Sequence, residues 1–465
     1  MKYTDKGVEN IKIAYIGGGS RGWAWGLMSD LVSSDDISGD VALYDIDFDA
    51  AYNNEIIGNM YNSVEGAKSK WSYKAYKSIG DALTGANFVV ISITPGTFKE
   101  MESDVHTPEK YGIYQSVGDT TGPGGIIRAL RAIPMFEEIA LNIKKYCPDA
   151  WVINYTNPMT MCTRALYRAF PEIKAFGCCH EVFGTQKTLS KALEEMRGIE
   201  NVPREDIKVT VTGLNHFTWI TEAKYKDIDL FEVYREFCDA YAEEGYLKGQ
   251  DKNWMYNGNV SLNGNKVKMD LFKRFGYIAA AGDRHLAEDV EGDWYLGSKE
   301  NVKDWAFKLT PVSVRVNMLK ERNEKSESIR NGKTALKINN SGEEGVKQLR
   351  AILGLHEFVT NVNLPNVGQI PNLPMGAVVE TNAYFSLDKV QPVCAGELPR
   401  EIYPLITRLL GEQELVIEAA FERNLDKAFM AFSNNPLVTI NSKDARKLFD
   451  EMIDNTKEYL KMYNV

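Results

Sequence analysis

The chain has 465 residues, 44% apolar and 25% charged, the balance of an ordinary globular protein and enough for roughly two domains of ~100–200 residues. Acidic residues exceed basic ones by 64 to 54, a formal charge of −10 with no polybasic block, which argues against nucleic acid or an anionic membrane as partner and leaves a small molecule. No apolar run approaches the ~20 residues of a membrane span, Met1-Lys2-Tyr3-Thr4-Asp5-Lys6 leads into a strand without a signal-type apolar stretch, and six cysteines are scattered; together these predict a cytoplasmic protein with free thiols.

Ile11-Lys12-Ile13-Ala14-Tyr15-Ile16 reads as a buried strand running into Gly17-Gly18-Gly19-Ser20-Arg21-Gly22, which fits G-x-G-x-x-G, with a helix expected over 25–32. A second strand, Val41-Ala42-Leu43-Tyr44-Asp45, ends in an acid 23 positions past the last glycine. In a dinucleotide site glycines let the backbone approach a pyrophosphate, the helix N-terminus stabilises its charge, and such an acid receives the ribose hydroxyls. Gly17, Gly19, Ser20, Gly22 and Asp45 are therefore expected to bind NAD, and Asp45 predicts NAD over NADP. A third strand over 88–93 ends at Thr94-Pro95-Gly96, and a fourth over 151–153 ends at Asn154-Tyr155-Thr156-Asn157-Pro158. Strand ends of this sort face the cofactor crevice, which adds Thr94 and Asn154 to the expected contacts.

Between them, Gly118-Asp119-Thr120-Thr121-Gly122-Pro123-Gly124-Gly125 is too glycine-rich for regular structure and precedes a helix expected near Ile126. Asp119 there is either an N-cap or a catalytic carboxyl. The strand Ala175-Phe176-Gly177-Cys178 delivers Cys179-His180, and 37 residues after Cys179 the segment Val209-Thr210-Val211-Thr212-Gly213-Leu214 delivers Asn215-His216. A thiolate and a neutral imidazole from two strand ends could hold one divalent metal with positions open for substrate; a buried thiol and a hydrogen-bonded histidine is the plain alternative. From about Leu189 onward, short strands mix with amphipathic segments at 343–359 and 443–462. Leu448, Met452, Ile453 and Leu460 suit one helix face and core packing. The polar stretch Asp251-Lys252-Asn253-Trp254-Met255-Tyr256-Asn257-Gly258-Asn259 reads as a loop that closes over the site or packs on a second subunit.

With these residues in this order the chain resembles glycoside hydrolase family 4, the NAD- and metal-dependent glycosidases. The likeness extends to Ile370-Pro371-Asn372-Leu373-Pro374, Val378-Val379-Glu380 and 432–438. It implies a route outside the two-carboxylate scheme of most glycosidases: NAD takes a hydride from C3 of the sugar, the ketone acidifies the C2 proton, a base removes it, the glycosidic oxygen leaves, water adds and the hydride returns. It further implies Mn²⁺ or another divalent metal on Cys179 and His216, acting as a Lewis acid at O2 and O3. Asp119 would be the general acid, keeping its proton in the complex. Asn157 and His180 would contact sugar hydroxyls, with Asn154 on the nicotinamide side. Many members use a tyrosine base in a mobile segment, but Lys268-Met269-Asp270-Leu271-Phe272-Lys273-Arg274-Phe275-Gly276 has none, so Asp270 is expected in that role, a helix N-cap being its alternative. Arg284, in Gly282-Asp283-Arg284-His285, falls where the family binds substrate and is expected to pair with a carboxylate on the sugar, or else with Asp283 or Glu288.

The resemblance also narrows the substrate. Phospho-glycosidases of the family carry an arginine just after the third strand, and Thr94-Pro95-Gly96-Thr97-Phe98 has none, which disfavours a 6-phosphosugar. Cys179-His180-Glu181-Val182 is similar to the α-galacturonidase version of the signature rather than the Cys-His-Ser-Val of α-galactosidases; since Glu181 would repel a uronate, an indirect effect is expected, by ordering Arg284 or another cation. The expected activity is thus α-galacturonidase, with α-galactosidase, α-glucosidase or α-glucuronidase as alternatives. An NAD-dependent 2-hydroxyacid-type dehydrogenase would release NADH stoichiometrically, and a mere NAD sensor has no use for Asp119, Cys179 and His216 together. The expected fold is α/β: a Rossmann-like dinucleotide-binding domain over 1–188 and an α+β substrate, metal and oligomerisation domain over 189–465, a lactate/malate dehydrogenase-like architecture. A homodimer or homotetramer is expected from related enzymes.

Overall fold

The computed structural model describes residues 1–248, 254–256 and 259–464; residues 251–253, 257 and 258 of the expected loop lie outside the described residues. β1 (Lys2–Thr4) folds back on β2 (Gly7–Ile16), which is flanked by β3 (Ile37–Tyr44) and β5 (Phe88–Ile91); β4 (Trp71–Tyr76) lies beyond β3, and β6 (Trp151–Asn154) and β7 (Lys174–Gly177) lie beyond β5. The order β7-β6-β5-β2-β3-β4 is parallel throughout and is the doubly wound dinucleotide-binding order, with its switch point between β2 and β5. Ile11, Ile13, Ala14, Tyr15 and Ile16 are all buried because helices cover both faces, so β2 shows a continuous apolar run rather than alternation. β4, unanticipated from the sequence, alternates: Trp71, Tyr73 and Ala75 point inward and Ser72 and Lys74 outward at the sheet edge.

The connections carry α1 (Trp23–Ser33), α2 (Phe48–Tyr61), α3 (Gly122–Tyr146) and α4 (Glu181–Arg197). Helix α3 starts at Gly122, four residues before its expected start, with Thr121 as N-cap, and every residue from Gly122 to Ile133 is buried. It runs through the largest core cluster, joined there by Leu448, Met452 and Ile453 of the helix Ser442–Thr456 and by Leu460 just after it.

Past α4 the chain builds a small antiparallel sheet from β8 (Lys208–Gly213), β9 (Thr218–Tyr225), β10 (Ile228–Asp229) and β11 (Ile278–Ala279). It then rejoins the first sheet: β12 (Phe358–Pro365), β13 (Val378–Ser386) and β14 (Lys389–Pro392) extend it antiparallel, Asn363 pairing with Gly177 at the edge of β7. Among the described residues ten strands form this sheet, and residue 188 lies inside α4. The segment expected to be amphipathic over 343–359 is helical only for Gly345–Ile352; left-handed Gly354 (φ 78°) ends it, and β12 follows. No described helix is long and apolar enough to cross a membrane, and all six cysteines are free.

Candidate active site

At the switch point β2 delivers the glycine loop. Gly17 has φ 92°, and a Cβ there would sit 2.0 Å from the Ser92 carbonyl oxygen, so only glycine fits. The N–H groups of Gly17 and Gly18 donate to Tyr44 O, that of Ser20 to Gly17 O, and that of Gly19 to Asp45 Oδ2 at 2.9 Å. Asp45 therefore stands against the loop at the end of β3, its carboxyl raised by burial. Gly22 caps α1 with no side-chain bond, so the first amides of α1 are open to an anion. These residues fit a bound dinucleotide. Thr94 is exposed just past β5. Asn154 differs from expectation: its amide is spent on Thr156 and Thr163, and it braces the turn at 154–158 rather than offering a free group.

On the other side of the crevice, β7 ends at Cys179 and the β8–β9 hairpin carries His216. Both are buried, at 8% and 4% exposure. Burial, with Glu380 and Glu181 nearby, pushes the Cys179 thiol far up in the metal-free protein. Burial also lowers the His216 pKa, which leaves the neutral imidazole that ligates metals. Asn215 reaches the Cys179 sulfur and donates to Glu380 Oε2 (2.9 Å), a carboxylate 1% exposed that also takes Asn361 Nδ2 (2.6 Å). His216 Nδ1, Asn215 Oδ1 and Asn157 Oδ1 are buried without a partner. Asn215 lies beside the thiol, and orphaned buried oxygens and an imidazole nitrogen are groups that a divalent metal or sugar oxygens could take up. Among the described residues no three His, Cys, Asp or Glu side chains form a group that could hold a metal.

Asp119 is 8% exposed, and because Thr121 caps α3 it is not the N-cap. Its Oδ1 accepts from Thr120 Oγ1 (2.9 Å) and its Oδ2 pairs with Arg315 Nη2 at 3.1 Å. Burial alone would raise this carboxyl, but Arg315 and then Arg128 hold it well below the usual carboxylate range. Unliganded Asp119 is thus an anion, whereas an acid catalyst must carry a proton. Glu288 secures the loop before it by accepting from Val117 and Gly118 N–H (2.7 and 2.9 Å); burial lifts its pKa to about 7.

Glu181 gains a physical account. Its Oε2 accepts the Gly282 N–H at 2.8 Å and its Oε1 lies 3.5 Å from His285 Nε2, so it fixes the loop that presents Arg284. His285 stacks on His216 with centroids 4.3 Å apart. Arg284 donates Nη1 to Thr310 Oγ1 (3.1 Å); among the described residues neither Arg284 nor Arg128 has a carboxylate within 4.0 Å. Asp283 instead accepts from the Val267 and Lys268 amides, and Glu288 is engaged with the loop at 117–118. Arg128 donates Nε to the Asn157 carbonyl.

Two expected residues sit elsewhere. Exposed His180 pairs with Glu343 (2.9 Å) and stacks on Trp23, beside α1. Asp270 is no N-cap: α5 (Lys266–Phe275) starts after Asn265, and the Asp270 carboxylate takes Tyr295 Oη (2.6 Å) and Arg274 (2.8 Å). Two residues of helix turn the chain by ~200°. Buried Lys268, which donates to Thr185 Oγ1 (2.8 Å) and feels the Glu181 charge, therefore takes the inward face, and Asp270 points away from it.

A Rossmann-like crevice with a buried thiol, a neutral imidazole, a carboxylate and several guanidiniums around it gathers the kinds of group an enzyme site uses. The model of family 4 glycosyl hydrolases matches residues 12–195 and that of the family's C-terminal domain residues 211–438. An α-galacturonidase of Thermoanaerobacterium saccharolyticum is 60% identical over 460 residues, 99% of this chain and 98% of that protein. The solved structure of lplD from Bacillus subtilis superposes with a TM-score of 0.91 at 51% identity, covering 96% of this chain and all of that one. A 6-phospho-α-glucosidase from gut microorganisms, solved with NAD and glucose-6-phosphate, gives 0.80 at 25% identity, covering 97% of this chain and 98% of that one. The chain belongs to family 4 of the glycosyl hydrolases.

Proposed function

We propose that the protein is an α-galacturonidase that works with NAD and a divalent metal, Mn²⁺ being the expected ion. What supports the acidic sugar is that two guanidiniums, Arg284 and Arg128, both feel the Asp119 charge yet have no carboxylate within 4.0 Å among the described residues. Buried Arg128 and half-buried Arg284 feel Asp119 only from beyond contact distance, so an anionic ligand in direct contact would lower their energy, and the planar fork of arginine matches a carboxylate. The 60% identical α-galacturonidase points the same way.

In this reading the glycine loop, the open N-terminus of α1 and Asp45 hold the dinucleotide, and Cys179 and His216 hold the metal. When bound, the two supply a hydride acceptor for C3 and a Lewis acid for the neighbouring oxygens. Arg284, in a loop tied down by Glu181, grips the uronate carboxylate, and Asn157 offers its free Oδ1 to a hydroxyl. Asp119 serves the leaving oxygen, and it can deliver a proton only once Arg315 no longer holds it ionised. Asp270, facing away, is not assigned as the base. The test is a panel of aryl α-glycosides with NAD, Mn²⁺ and a reductant. The reading expects the galacturonide to be cleaved with at least tenfold higher kcat/KM than the galactoside or glucoside. A preference for a neutral sugar would refute it.

A further inference from the structure

Helix α6 (Val312–Arg330) comes from the second half of the chain and is anchored mainly at its ends. Its ends are anchored: Val312 packs on Met101 and Val105 and its N–H reaches His106 Nε2 at 3.3 Å, while Ser326 and Ile329 are buried at the far end. Every residue from 316 to 325 between these anchors is exposed. At 100° per residue, 315, 319, 322, 326 and 329 share one stripe, with 330 at its margin. Leu319 lies on this inward stripe yet is 37% exposed, so the span bridges open space rather than packed core. A helical span of this length is marginal without something beneath it.

The stripe is a row of arginines that follows the nucleotide crevice. Arg315 meets Asp119 at one end, and its Nε is buried without a partner. Two turns on, Arg322 covers the third glycine of the loop: its Nη1 stands 2.9 Å from where a Cβ on Gly22 would be. Two turns further, Arg330 donates to Asn53 Oδ1 on α2 and, with Arg21, lines a cavity of about 360 Å³; the Arg21 charge in turn reaches Asp45. A guanidinium set against the uncapped, electropositive N-terminus of α1 is unfavourable unless an anion joins them.

We infer that α6 is the cover of the dinucleotide site: Arg322 pairs with the pyrophosphate from the side opposite the glycine loop, and Arg330 with Arg21 flanks the adenosine end. This rests on the NAD reading above. Since the same helix carries Arg315, cofactor binding and the placement of the cation on Asp119 are joined in one element.

The test is binding, without metal or glycoside, of NAD, ADP and adenosine to the full chain by calorimetry, with hydrogen exchange over 316–325. Arg322→Gln is expected to weaken NAD and ADP about tenfold and to leave adenosine unchanged, because only the phosphates lose a charge-assisted partner. Lys320→Gln removes the same charge from the outer face and should change nothing. NAD should slow exchange across 316–325 in the wild type. Equal NAD affinity in Arg322→Gln and wild type, an equal loss in Lys320→Gln, or unaltered exchange would each overturn the cover; a wild type that binds neither NAD nor ADP would instead sink the cofactor reading on which it rests.

Discussion

Replacing Arg284 by Gln tests what makes this an acid-sugar site. The guanidinium is partly buried, held by one hydrogen bond to Thr310, and meets no protein carboxylate among the described residues, so a substrate carboxylate would be its main ionic partner. Hydrogen bonds to charged groups contribute about 1.5–3 kcal/mol each. Losing a forked contact at a half-solvated position should therefore cost about 2–3 kcal/mol, or about 30- to 150-fold in kcat/KM. The loss should fall on the galacturonide alone, since an α-galactoside offers C6 as a neutral hydroxymethyl. Arg284→Lys keeps the charge but not the fork and should lie between. Steady-state kinetics on the two aryl glycosides decide it: an equal loss on both, or none on the galacturonide, would refute carboxylate recognition by Arg284.

Other outcomes follow from the same geometry. Cys179→Ser and His216→Asn should each lower Mn²⁺ affinity at least a hundredfold by calorimetry while NAD affinity holds, because a neutral hydroxyl or amide is a poor replacement for thiolate or imidazole; unchanged metal binding would break the assignment. Asp270→Asn should retain most turnover and lose about 1 kcal/mol of stability through Tyr295 and Arg274, whereas a loss above a hundredfold in kcat would restore a carboxyl base. Glu412 is 6% exposed, and burial lifts its pKa to about 8 from 4.5. A raised folded-state pKa means that its stability contribution is full below about 4.5 and is lost as pH rises through about 8. Glu412→Gln should thus leave stability near pH 5 little changed and increase it near pH 9, on the order of 1–3 kcal/mol. A melting curve that shifts equally at both pH values would contradict that sign.

The nucleotide half was legible because its signals are local: an apolar strand, glycines at fixed offsets and an acid at the next strand end lie within 35 residues, and β2, the loop and Asp45 form one unit. The edge strand β4 escaped notice because its alternation, Trp71 to Tyr76, is short and polar on one face. Residues whose roles come from distant partners were not readable. For Glu181 an indirect effect through Arg284 was expected, but its actual partner, the Gly282 amide 101 positions away, was not; and nothing near Asp119 announces Arg315, 196 positions on. Arg128 was not singled out, although an Arg inside the apolar run 126–133 was a usable sign of a buried cation, and Glu288 was expected only as a partner of Arg284 rather than of the amides at 117–118. For Asp270, spacing along the sequence does not state which face of a helix a residue takes; Lys268, two positions away, takes the inner one, while Asp270 meets Tyr295 and Arg274.

The family 4 route, if this chain follows it, breaks the glycosidic bond through loss of the proton at C2 of the sugar. Hydrolysis of an aryl α-galacturonide in D₂O with NAD and Mn²⁺, followed by NMR of the released galacturonate, reads that step directly. The account predicts deuterium at C2 with no net NADH; a product that keeps its original C2 proton would contradict it.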